Sequence, residues 1–215
     1  MAEQSGKSKG KIVLAGVIVM LLAVNLHVTT RTTSGQEHPQ YRAVIVRGAG
    51  YLPGTEKPTE PDAITNATSE PGNTYVFSKK LAVKLSELKV DVEIIDFPRC
   101  SNLSCLEYTG ADGKRHIADI VIFAGPSYGR KFPEQLETLI PKLQPFTARN
   151  PRMICSSLIS ANYTYRGIIT MQHIDEELKK TGARTVAGVV FNSDVIENEL
   201  DEDIKDFTDV ILKAL

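Results

Sequence analysis

Residues 118–129 read Ala118-Asp-Ile-Val-Ile-Phe-Ala-Gly-Pro-Ser-Tyr-Gly129. An apolar, partly β-branched run stops at a Gly-Pro-Ser-Tyr-Gly turn, and a helical pattern follows. This predicts a strand buried on both faces, because nothing polar alternates within Ile120 to Ala124. In α/β proteins the loop at the carboxyl end of a parallel strand is where ligands sit. Its amides, hydroxyl and aromatic ring suit a flat polar ring system; a tight strand-to-helix turn explains the same residues.

Outward from this strand, apolar runs alternate with amphipathic stretches from Tyr41 to the end. The strand candidates are Ala43 to Val46, Val90 to Ile95, Ile120 to Ala124, Met153 to Cys155 and Val186 to Phe191. The second alternates Val90, Val92 and Ile94 with Asp91 and Glu93, as an edge strand wetted on one side should. Between the strands, Phe77, Leu81, Leu85 and Leu88 recur at helical spacing. So do Phe132, Leu136, Leu139 and Leu143, then Met171, Ile174 and Leu178, and last Ile196, Leu200, Ile204, Phe207 and Ile211. Asp194 with Glu197 reads as an N-terminal cap, and Gly182 as a helix stop. Right-handed crossovers then give a doubly wound, five-stranded parallel sheet.

The first strand and its helix are separated by an insertion rich in Gly, Pro, Thr and Glu, residues 49–71, which is long for a strand-to-helix connection. It ends in Ser69-Glu-Pro-Gly-Asn-Thr74. Glycine beside Asn and Thr at a helix start offers unpaired amides, a hydroxyl and the positive end of the helix dipole, the donors a phosphate needs. Asn73 or Thr74 acting as a simple cap is the alternative.

With these two segments in place, the chain resembles the flavodoxin-like superfamily over roughly Arg42 to Leu215. Ser69, Gly72, Asn73 and Thr74 match that family's phosphate loop, of the type Ser/Thr-x-Thr-Gly-Asn-Thr. Gly125, Pro126, Ser127, Tyr128 and Gly129 match its ring loop after the third strand. The resemblance implies an α/β fold with strand order 2-1-3-4-5, FMN as cofactor, and electron transfer or flavin-dependent reduction of a quinone or redox partner protein. It also implies a third loop over the flavin's outer edge, here Ser156 to Gly167, with Ser156, Asn162 and Tyr163 as cofactor-binding residues. Two features depart from the pattern. Pro71 stands where the family has Thr, removing a hydroxyl and an N–H worth about 1.5–3 kcal/mol each to a charged acceptor, and the insertion intervenes between strand and loop. A flavodoxin-like scaffold without flavin, serving as a tethered interaction module, is the competing expectation.

Ahead of the domain, residues 1–11 carry Lys7, Lys9 and Lys11, and residues 12–29 are uncharged and largely aliphatic, followed by a polar linker, 30–40. About 17 apolar residues give roughly 26 Å of helix, close to a bilayer core. The segment reads as a transmembrane signal anchor or as a cleaved signal peptide. Lysines before it place the amino terminus in the cytoplasm and the domain outside, as a single-pass membrane protein or a secreted one. In that oxidising space Cys100 and Cys105 form a disulfide or remain two thiols.

Lys and Arg number 25 against 26 Asp and Glu, so the basic excess of a nucleic-acid binder is missing. Three cysteines without paired spacing argue against a zinc site. The four histidines are scattered and no nucleophile elbow appears, so no protein nucleophile is expected.

Overall fold

The computed structural model describes residues 41–48, 73–127, 130–192 and 197–215. The expected membrane segment, the insertion 49–71, Ser69, Gly72, Tyr128, Gly129 and Asp194 lie outside the described residues. No helix among the described residues is long and apolar enough to cross a membrane.

The elements are β1 (Tyr41–Arg47), α1 (Asn73–Glu87), β2 (Val90–Asp96), β3 (Glu107–Thr109), β4 (Arg115–Ile117), β5 (Ile120–Pro126), α2 (Glu134–Glu137), α3 (Gln144–Arg149), β6 (Ile154–Ala161), α4 (Thr164–Lys180), β7 (Arg184–Thr185), β8 (Val189–Asn192) and α5 (Glu197–Ala214). The main sheet runs β2-β1-β5-β6-β7, with β8 also on β6, and every pairing in it is parallel. With β7 and β8 taken as one interrupted strand, the order is 2-1-3-4-5. β2 lies at an edge and β5 at the centre, as their residue patterns require.

Each face of the sheet carries its own core. Ala43 and Ile45 of β1 and Ile120 and Ile122 of β5 pack with Phe77, Leu81 and Leu85 of α1 and with Leu200, Ile204, Phe207 and Ile211 of α5. Val44, Val46, Val121 and Phe123 turn to the other face, against Leu136, Leu143, Ile174 and Leu178. Successive strand residues thus serve opposite layers, the period-2 geometry that makes a two-sided apolar strand read as one continuous run.

Four expectations need correction. The stripe Phe132, Leu136, Leu139 and Leu143 is buried but forms no single helix. Pro133, Pro141 and Pro145 divide it into α2, a 3₁₀ turn at Ile140–Leu143 and α3, because each proline withholds an N–H and is tolerated only near a helix start. Leu88 falls beyond α1 and is 43% exposed; Lys89 takes a left-handed φ of 63° and ends the helix. The fourth strand does not stop at Cys155 but continues to Ala161, every residue of it buried. The fifth is broken, since residues 186–188 separate β7 from β8, and the Ser156 hydroxyl donates to the carbonyls of Val186 and Ala187 at the break (3.2 and 3.3 Å). Gly188 is required there: a Cβ would stand 2.2 Å from Ser157 Oγ. The sequence reading also passed over the β3–β4 hairpin, whose turn places Gly113 at φ 72°. Gly182, at φ 79°, does end α4.

Between β2 and β3, Cys100 and Cys105 are joined as a disulfide, their Cα atoms 5.4 Å apart. Cys155 is buried in the sheet, and burial pushes its thiol up to about 12, so it packs as a small apolar residue rather than reacting as a thiolate.

Candidate functional site

The carboxyl ends of β1, β5 and β6 point the same way because the sheet is parallel, and α1 begins at that edge. Ser160, near the end of β6, ties the pieces together. Its hydroxyl lies 2.6 Å from the hydroxyl of Thr74 in the first turn of α1. Its carbonyl accepts the backbone N–H of Ser127, the residue after β5, at 2.7 Å. One serine therefore brings the helix start and the β5 loop to the same place, although Thr74 and Ser127 are 53 positions apart in the chain.

Two contacts hold Ser127 in place. Its hydroxyl lies 2.7 Å from the hydroxyl of Thr170 in α4, either of which can donate, and Thr170 also lies 3.1 Å from the Arg166 carbonyl of its own helix. With its amide committed to Ser160 as well, Ser127 has only its hydroxyl left to offer a ligand.

The glycine before Pro126 has a packing reason. A Cβ on Gly125 would meet Phe132 at 2.8 Å and Pro133 at 3.0 Å, so the returning chain can lie against the end of β5 only where there is no side chain. Pro126 closes β5 opposite Ser160, a strand-end position where its missing N–H is tolerated.

After β6 the chain turns within two residues. Asn162 is exposed and Tyr163 is the N-cap of α4, its carbonyl accepting from Arg166 and Gly167 (3.0 and 3.2 Å). Tyr163 is 56% exposed, with the Arg166 guanidinium 4.8 Å from its ring centre and the Tyr165 ring 6.1 Å away. An aromatic surface thus stands at the same edge. Gly167 allows α4 to approach β8 so closely that a Cβ would lie 2.2 Å from Val190 Cγ1.

Of the residues expected at the site, Asn73, Thr74, Pro126, Ser127, Asn162 and Tyr163 lie at this edge. Ser156 does not: it is wholly buried four residues back along β6 and its hydroxyl serves the β7–β8 break. Ser160 and Thr170 were missed. The available signal was the polar triplet Ser156, Ser157 and Ser160 inside an otherwise apolar strand, since buried hydroxyls need partners.

No family model matches the sequence, and no curated protein matches it. Solved structures do. A flavodoxin of Streptococcus pneumonia TIGR4 superposes with a TM-score of 0.54 at 19% identity, covering 81% of this chain and 99% of its own. Oxidised flavodoxin 1 from Bacillus cereus gives 0.54 at 15% identity, with 81% and 99% covered. This chain has a flavodoxin-like fold.

Rubredoxin oxygen:oxidoreductase from Desulfovibrio gigas contains a similar region, at TM-score 0.56 and 14% identity, over 82% of this chain but 36% of that protein. The flavodoxin-like domain here thus matches the whole of the small flavodoxins and about a third of the larger enzyme. Its candidate site lies where such a sheet reverses strand order, between β1 and β5.

Among the described residues no group of three or more His, Cys, Asp or Glu side chains is placed to hold a metal. His116 bonds Asp112 at 2.8 Å on the hairpin, holding that carboxyl below its usual range.

Proposed function

We propose that this flavodoxin-like chain binds FMN at the carboxyl edge of its sheet and transfers electrons as a membrane-tethered flavoprotein. The observation that supports the reading is Ser160, which joins Thr74 to Ser127 and so brings the start of α1 beside the loop after β5. The residues present fit the cofactor. The first-turn amides of α1 have no intrahelical acceptors, Asn73 is exposed beside them, and Thr74 can accept from Ser160 while keeping its own proton for a phosphate oxygen. Pro126 and Ser127 would lie along the isoalloxazine, with Asn162 and Tyr163 at its outer edge. Bound FMN supplies one- or two-electron transfer.

The protein's own contribution would be to hold the ring. The Ser127 hydroxyl, shared with Thr170, would bond the polar edge of the ring. Tyr163 with Arg166 shields the ring from water. In this reading residues 12–29 anchor the chain, the domain faces the outside, and the partner is a redox protein or a membrane quinone; no nucleic acid is involved.

A second reading, a flavin-free tethered scaffold, is favoured by Pro71 and by the Thr74 hydroxyl being engaged with Ser160 and only 7% exposed. The absorption spectrum of the purified full chain in detergent, before and after FMN addition, separates the two. Flavin absorbance that stays with the protein through gel filtration supports the first reading. A colourless protein that takes up no added FMN refutes it.

A further inference from the structure

A second cleft, of about 500 Å³, runs beside the free edge of β2, from α1 on one side to the disulfide-bonded connection on the other. Its lining includes Arg47, Tyr75, Lys79, Arg99 and Cys105. It lies beside β2, on the other side of the α1 start from the residues described above: Thr74 reaches toward β6, whereas Tyr75, one residue on, turns toward Arg47 at the end of β1.

Two of the cations in this cleft are left without a carboxylate among the described residues. Three carboxylates line it, and each is already matched: Asp96 by Arg47 (2.6 Å), Glu93 by Arg42, and Glu107 by Arg115 and Arg149 (3.5 and 2.6 Å). Lys79 and Arg99 have no carboxylate partner among the described residues. Arg47 adds a second irregularity. Its side chain is 7% exposed, Nε and Nη2 bond Asp96, and Nη1 is buried with no acceptor among the described residues. An orphaned guanidinium N–H is costly where water is excluded, and an acceptor reaching the base of the cleft would remove that cost. Tyr75 supplies an aromatic wall, with Arg47 and Lys79 4.6 and 4.8 Å from its ring centre.

We propose that this cleft binds a small aromatic oxyanion, a phosphate or carboxylate held by Lys79 and Arg99 with its ring against Tyr75. The volume suits a small organic molecule rather than a bare ion, and forked or ammonium donors that the lining carboxylates leave unpaired suit an oxyanion. The proposal does not depend on flavin binding beside β5 and β6.

Calorimetric titration of the full chain with phenyl phosphate, benzoate and inorganic phosphate tests it. Saturable binding of phenyl phosphate or benzoate, tighter than inorganic phosphate and weakened at least tenfold in the Lys79→Gln/Arg99→Gln variant, is expected; the tighter of the two organic probes identifies the anion class. Both substituted residues are exposed, so folding is retained, and FMN uptake by the variant should equal that of the wild type. Three results overturn the proposal: no saturable binding of either organic probe, equal binding by the variant, or FMN uptake lost in step with it, which would make this cleft part of the flavin site. In a chain that takes up no FMN, the phenyl phosphate and benzoate titrations still decide the matter.

Discussion

Replacing Ser160 with alanine isolates the contact on which the site's assembly depends. The Ser160 and Thr74 hydroxyls are 2.6 Å apart and the two residues are 6% and 7% exposed, so water has little access to either. Ser160→Ala removes one hydrogen bond and leaves the Thr74 hydroxyl without its partner, a loss of about 1–3 kcal/mol. In a domain of this size that lowers the thermal midpoint by roughly 2–12 °C. Thr74→Val orphans Ser160 in the same way and should cost a similar amount. The double variant leaves no orphan, so its destabilisation should fall short of the sum of the singles by about 1 kcal/mol or more. Thermal and urea unfolding of the four proteins measure the cycle. Single variants within about 0.3 kcal/mol of the wild type, or strictly additive effects, would refute the claim that Ser160 holds the start of α1 to β6.

Three further outcomes follow from other parts of the fold. Gly167→Ala should destabilise by about 1–3 kcal/mol through overpacking, less roughly 1 kcal/mol gained in helix propensity. Its new Cβ would sit 2.2 Å from Val190 Cγ1, so adding Val190→Ala should recover part of the loss; unfolding curves that show no recovery place the strain elsewhere. Burial raises the Asp175 carboxyl above its usual range, outweighing the Gly188 N–H and Lys179, and its Oδ1 is buried without a partner. The folded state therefore holds that proton more tightly than the unfolded chain. The stabilisation is complete below the unfolded pKa and is lost as pH rises through the raised folded value. Melts should show the wild type weakening relative to Asp175→Asn across that window; a pH-independent difference would contradict the assignment. Reducing Cys100–Cys105 opens a short loop and should cost about 2 kcal/mol, read as a lower midpoint in reductant that a Cys100→Ala/Cys105→Ala variant reproduces without reductant.

The strands and the stripe-bearing helices were legible because burial imposes a period on sequence. Val44 and Ile45 are adjacent in the chain and belong to opposite cores, and Phe77, Leu81 and Leu85 face one of them. The divided helix over 134–149 was misread because its apolar spacing is helical while its prolines forbid continuity, and backbone chemistry prevailed over side-chain pattern. The fourth strand was cut short because Ser156 and Ser157 look like loop residues. In place, Ser156 spends its hydroxyl on the neighbouring broken strand, which makes burial affordable.

Residue order alone determined the alternation of strand and helix, the central position of Ile120 to Ala124, the edge position of Val90 to Ile95 and the candidate ligand segments around Thr74 and Ser127, because each rests on local chemistry or periodicity. Only the tertiary structure decided that Ser160 joins those two segments, that the Ser127 hydroxyl meets Thr170 of α4, and that Arg47 is buried with an unsatisfied nitrogen. These depend on partners far away in the chain, which local chemistry and periodicity do not specify.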